Sequence, residues 1–211
     1  MANNFINRIK PDISANESGP TEVYYHATKK AIVIELDASN KSSAGVTIGV
    51  GVEDTSANDS AVSGSFSVTS AANGTFTKTS HGLNVNDRVT IQATTAPNIA
   101  SGSTDSALKV GAVTAAGTKR YFVQAKDANT FHLAETRNAT VPIKFSSTGA
   151  LTSFTKVAFA EVIRDAPIPV GGALKVISGQ KLVLEGTDRL FVWCSSASNV
   201  DAICSILEEV S

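Results

Sequence analysis

Short runs in which apolar residues alternate with small or polar ones recur along almost the whole chain, each closed by Gly, Pro, Asn, Asp or Ser. This period-two pattern, with helix signals nearly absent, is what most limits the folds open to the chain: it encodes many short strands. The clearest run is 45–52, where Val46, Ile48, Val50 and Val52 project to one face and Thr47, Gly49 and Gly51 to the other. Its small-residue face is open to two readings, a surface that lets another chain or sheet come close, or a bulged or edge strand. Further strands are expected at 21–28 and 30–36, with a Thr28-Lys29-Lys30 turn making them an antiparallel pair. Others are expected at 154–164, before a turn at Asp165-Ala166-Pro167-Ile168-Pro169, and at 174–177, 181–184, 189–195 and 200–207.

Two joints rich in Ser, Thr and small residues, 55–65 and 146–153, bracket the middle of the chain. The expected fold is all-β: residues 21–62 and 154–211 form one β-sandwich of jelly-roll or immunoglobulin-like type, and 63–153 form a small β-barrel domain inserted at a loop tip. An insert leaves the host core intact when its two ends lie close together. Residues 1–20 remain as an N-terminal arm. Phe5, Ile6 and Ile9 are its candidate assembly contacts, apolar residues that precede the first expected strand and have no evident place in the core. The arm either anchors on neighbouring subunits or packs on its own sandwich.

Charge narrows the partners. Lys plus Arg number 18 against 19 Asp plus Glu among 211 residues, which leaves no positive field to hold phosphate backbones, so nucleic acid is not an expected partner. No stretch approaches the roughly 20 apolar residues that cross a bilayer, and the N-terminus has no signal-peptide core, so no membrane is expected and synthesis is placed in a cytoplasm. Charged residues make up 18% of the chain, below the usual ~25%, and a weakly charged, turn-rich surface suits contact with neighbours.

Reactive groups are sparse. Cys194 and Cys204 lie in apolar runs; if 189–195 and 200–207 pair as a hairpin about Ala197-Ser198-Asn199, Cys194 falls opposite Asp201 and Cys204 opposite Phe191. A disulfide needs Cα atoms within about 7 Å, so both are read as buried free thiols. His26, His81 and His132 have no second histidine at ligand spacing, and His81 and His132 read as turn and strand residues. The run 54–59 has oxygens at alternate positions like the opening of a calcium loop, but lacks the glycine at its sixth place and the glutamate at its twelfth, and reads as a linker. Gly49 to Gly51 and Gly171-Gly172 do not lead into helices and read as turns or bulges. Trp193 with Tyr24 and Tyr25 forms either a stacking platform for a sugar or part of the core. No catalytic residue, metal or cofactor is expected.

Two segments carry a resemblance. Phe76-Thr77-Lys78-Thr79-Ser80-His81-Gly82-Leu83, Asn86-Asp87-Arg88-Val89-Thr90-Ile91, Tyr121-Phe122-Val123, Asn129-Thr130-Phe131-His132-Leu133 and Phe145-Ser146-Ser147-Thr148-Gly149 resemble the small β-domain related to the first catalytic cysteine half-domain of ubiquitin-activating enzymes. That module recurs in structural proteins of tailed phages. Phe131 and Leu133 then face a small core, and 96–117, longer and more polar than the pattern, is an extra loop or hairpin. The flanking residues, with Arg164-Asp165-Ala166-Pro167-Ile168-Pro169, Gly179-Gln180-Lys181-Leu182-Val183-Leu184 and Val200-Asp201-Ala202-Ile203-Cys204-Ser205-Ile206-Leu207-Glu208, resemble a compact sandwich found among tailed-phage virion proteins.

The combination implies a structural component of the virion, made in the host bacterial cytoplasm. It would pack with copies of itself and with other virion proteins on the capsid, neck or collar, or tail, projecting the insert in a decoration or stabilising role. The alternative is a tail-associated or surface module that reads host glycans through the insert.

Overall fold

The computed structural model describes residues 2–63, 67–115, 117–125 and 127–210. Met1, Gly64, Ser65 and Ala116, on which parts of the arm, first-joint and loop expectations fall, lie outside them. The protein is almost all β, with 52% of the chain in strands and no α-helix among the described residues. In chain order the strands are β1 (Ala2–Lys10), β2 (Thr21–Tyr25), β3 (Ala31–Asn40), β4 (Val46–Glu53), β5 (Val62–Ser63), β6 (Ser67–Ser70), β7 (Thr75–Thr77), β8 (Arg88–Thr95) and β9 (Ile99–Ser101). They continue as β10 (Tyr121–Ala125), β11 (Thr130–Ala134), β12 (Lys144–Phe145), β13 (Ala150–Val157), β14 (Phe159–Ile168), β15 (Ala173–Ile177), β16 (Leu182–Leu184), β17 (Arg189–Cys194) and β18 (Val200–Val210). The chain divides into two compact units, Met1–Ser56 with Phe159–Ser211, and Ala57–Ala158.

The first unit has two antiparallel sheets, a five-stranded one in the order β1-β18-β3-β15 with β16 also on β3, and a four-stranded one in the order β14-β4-β17-β2. Their inward residues share one core: Val33, Leu36, Ala38, Cys204 and Ile206 from the first sheet, Val46, Ile48, Val50, Leu190 and Val192 from the second. The alternation of β4 therefore lies where its pattern puts it, with Val52 packed at the core margin.

Two expected hairpins do not form. β2 belongs to the four-stranded sheet and β3 to the five-stranded one, so the corner between them carries the chain from one sheet to the other. The His26 ring fixes that corner by accepting the Thr28 and Lys29 N–H groups at Nδ1, at 3.2 and 3.0 Å. β17 and β18 part in the same way, because their connection bonds elsewhere: the Ser198 N–H donates to the Ile13 carbonyl and the Lys41 N–H to that of Asn199. Cys194 is opposite Ile48, and Cys204 is opposite Leu36 and Arg8; both are free and buried.

The expected strand 154–164 breaks at Ala158, and β14 runs through the expected turn to Ile168. Its register slips between Glu161 and Ile163 and again before Ala166, where Asp165 has φ 52°. Pro167 is tolerated because β14 is an edge strand, where a missing N–H need cost no ladder bond. The arm, too, is part of a sheet. β1 pairs with β18 from Ala2↔Val210 to Lys10↔Ala202 without a bulge.

The second unit is a seven-stranded antiparallel sheet, β5-β13-β8-β10-β11-β7-β6, curled into a half-barrel, with β9 and β12 as a separate pair. Its core is built around a cluster of rings: Phe76 stacks on Phe131 at 5.2 Å, Phe145 meets Phe76 edge-on at 5.4 Å, and Phe154 meets Phe131 at 5.6 Å. Phe131 and Leu133 are fully buried, as their alternation implies. The expected extra loop 96–117 contributes β9 and buries Leu108 in this core. Part of the second joint is strand as well, since Ser153 and Phe154 in β13 pair with Ser63 and Val62. Asn58 and Asp59 bond to Ala158 and Lys156, so the division falls at 56/57 and 158/159, outside the boundaries read from composition.

Candidate assembly surface

β1 alternates like any strand, so its apolar residues part company. Ile6 turns inward and packs against the first unit's core. Phe5 and Ile9 turn outward and stay 72% and 66% exposed, joined on the chain's surface by Val183 at 58% and Ile203 at 48%. Residues directly opposite in an antiparallel pair share a face. Phe5 is opposite Leu207, Leu207 opposite Ile32, and Ile32 opposite Val183, which makes one apolar row across β1, β18, β3 and β16. A second row runs Ile9, Ile203, Asp37 and Lys175. A shallow groove lies in the first row, lined by Lys30, Ala31, Ile32, Val183, Leu207 and Glu209, and a Lys30–Glu185 ion pair of 2.7 Å lies beside it.

Of the three arm residues singled out from sequence, two are on this surface and one is in the chain's own core. Leu207, Ile32, Val183 and Ile203 were missed. The available signal was β18 itself: Ala202, Cys204 and Ile206 take the core-facing positions, yet Ile203 and Leu207 are apolar at the opposite parity. A sheet with one solvated face has no need of them there.

Behind the row, a buried polar cluster ties the strands together. Glu208, whose side chain is 5% exposed, accepts the Tyr24 hydroxyl at 3.0 Å, lies 3.4 Å from Lys29 Nζ and 3.9 Å from Arg8 on β1. Burial first, and then Glu208, push the Tyr24 phenol well above its usual range.

The glycine face of β4 does not belong to an edge strand, though the pairing of β4 with β14 is bulged beside Gly51. β4 is a central strand, and the Trp193 and Phe159 rings fill the space over its glycines: a Cβ on Gly49 would stand 2.2 Å from Trp193 ring carbons, and one on Gly51 2.2 Å from Phe159. Trp193 is buried, with the Phe159 ring at 6.2 Å. Tyr24 belongs to the core and Tyr25 lies under the Arg189 guanidinium at 4.5 Å, so the three rings form no common platform.

The histidines are engaged with backbone. His81 Nδ1 accepts the Leu83 N–H at 2.9 Å, leaving Nε2 to donate to the Asp127 carbonyl at 2.8 Å, and His132 Nδ1 meets the Gly74 carbonyl at 3.0 Å. Asp54 accepts the Ser56 N–H and hydroxyl, an Asx turn within the expected linker. Among the described residues no group of three or more His, Cys, Asp or Glu is placed to hold a metal ion, and no helix is long and apolar enough to cross a membrane. In the second unit Lys119 lies 2.6 Å from Asp105 and 2.9 Å from Glu135, and the Lys109 N–H donates to the Tyr121 hydroxyl, so this cluster pins the segment before β10.

No protein-family model, curated protein or solved structure matches the chain.

Proposed function

We propose that this chain is a structural subunit of a tailed-phage particle: a β-sandwich built from the two sheets of the first unit, carrying the second as an inserted small β-barrel. It packs as an oligomer on the capsid, neck or collar, or tail, and stabilises the particle by adhesion. The phage assignment rests on the resemblance of the two segments quoted above. Assembly rests on one observation, the surface apolar row Phe5–Leu207–Ile32–Val183 across four paired strands, exposed at its two ends and half-buried between them. An ordinary solvent face of a sheet is polar, whereas each large apolar side chain fully covered by a neighbour contributes about 1.5–3 kcal/mol. Permanent subunit contacts commonly bury some 2,000 Å² or more, an area to which such a row would be central.

The test is to purify mature particles and measure the chain's copy number and position by mass spectrometry and electron microscopy, with light scattering on the isolated protein. Stoichiometric presence and an oligomer in solution are expected. A monomer that binds host-envelope glycans and is missing from particles would overturn the proposal in favour of a surface-binding module.

A further inference from the structure

We infer that the free edge of β1 joins two copies of this chain, with β1 lying antiparallel to β1 of a second copy about a two-fold axis at Asn7. The inference rests on the reading of the chain as an assembly subunit and names the edge and register by which it self-associates.

β1 ends the strand order of its sheet and pairs with β18 over nine residues in unbroken register. Exposed edges of that length are templates for another strand, and proteins blunt them with prolines, bulges, short strands or charge. β1 has no proline and no bulge, and its charges, Arg8 and Lys10, sit at one end. Among its described side chains Ile6 packs against the core and Arg8 lies 3.9 Å from Glu208, and β1 passes near β2, so beyond the β18 ladder the monomer holds β1 by few contacts. A strand on its other side would complete its pairing.

The sequence of β1 selects a second copy and a register. Two antiparallel β1 strands about a two-fold axis normal to the sheet put residues of the same parity opposite each other, which keeps the outer face outward. Centring on Arg8 sets the guanidinium against itself. Centring on Ile6 sets Phe5 and Ile9 against asparagines, and centring on Phe5 leaves Ile9 and Lys10 beyond the pairing. Centring on Asn7 places Phe5 opposite Ile9, Asn4 opposite Lys10 and Ile6 opposite Arg8, with no like charges facing. The apolar row Val183–Ile32–Leu207–Phe5 then runs on into Ile9 and Ile203 of the second copy.

The test uses single cysteines in the full chain; the native Cys194 and Cys204 are buried, which leaves an exposed introduced thiol as the reactive one. Under mild oxidation Asn7→Cys, which meets itself at the axis, should give a covalent dimer. Ile6→Cys and Arg8→Cys should give none, and mixed Phe5→Cys and Ile9→Cys proteins should link to each other. A monomeric Asn7→Cys protein that keeps the wild-type unfolding transition, or self-linking of Ile6→Cys, overturns the inference. A chain present in particles whose Asn7→Cys form does not link refutes this edge alone; efficient linking by a chain absent from particles refutes the virion reading alone.

Discussion

The two units bury one face of an antiparallel sheet with side chains of different size. In the first, two sheets meet and share the filling, and the core is aliphatic, with Val33, Ala38, Ile48, Val50 and Ala202 and only Tyr24 among the aromatics. In the second, the curled sheet closes over a core in which Phe76, Phe131, Phe154 and Tyr121 from its own strands and Phe145 from β12 pack among aliphatic side chains. Facing sheets pack about 10 Å apart, a gap that interdigitating Val, Ile and Ala span from both sides. From outside its sheet the half-barrel core receives Leu108, Ile143 and Phe145, and rings fill much of the remaining space. The first unit does use rings, but on its other side, where Trp193 and Phe159 occupy the space over Gly49 and Gly51.

The sharpest test of this contrast is Phe131→Ala, which removes the ring that meets Phe76, Phe154 and His81. A loss of about 3–5 kcal/mol is expected, read as faster hydrogen exchange in β7, β10 and β11 with β3 and β18 unchanged. Equal deprotection of β3 and β18 would break the separation of the two cores. Next comes Gly49→Ala, where the added methyl must displace the Trp193 ring; about 1–3 kcal/mol is expected from denaturant titration, with altered tryptophan fluorescence. An unchanged midpoint would mean the ring yields freely.

A milder effect comes with pH. Burial pushes the Cys204 thiol up to about 12 from an ordinary value of 9.0. Its contribution is fully present below pH 9; between 9 and about 12 the unfolded chain binds fewer protons, so stability falls as pH rises, by about 1 kcal/mol at pH 10. Cys204→Val should flatten that part of the pH profile of the urea midpoint. The smallest effect belongs to the outer face: at concentrations too low for self-association, Phe5→Asn with Ile9→Asn should change unfolding of the monomer by less than about 0.5 kcal/mol, while Ile6→Asn costs clearly more because Ile6 touches the core.

Strand positions were legible in the sequence where alternation was strong. The run 45–52 became β4, and 174–177, 189–195 and 200–207 agree with β15, β17 and the first part of β18. Partnership was not. The residues around Ser198 look alike whether the chain folds back in one sheet or arches to the other, because the choice depends on distant groups, the Ile13 carbonyl and the Lys41 N–H, and at Thr28 it depends on the direction the His26 ring takes. β1 was hidden by Asn3, Asn4 and Asn7, poor strand formers that extend because β18 offers an edge. Pro167 suggested a turn, and only knowledge that β14 is an edge strand allows it to continue. For the surface, Phe5 and Ile9 were visible as unexplained apolar residues, whereas Val183 and Ile32 join them only through register.

Because β1 and β18 run antiparallel with Ala2 beside Val210, the two ends of the described chain emerge next to each other. Tension between them would open the ladder one rung at a time, as a zipper yields, while a pull along β18 against β3 would strain many rungs together. The first unit is thus mechanically soft at its ends and stiff along its strands, and any cargo or tether attached at either terminus would meet the soft direction first.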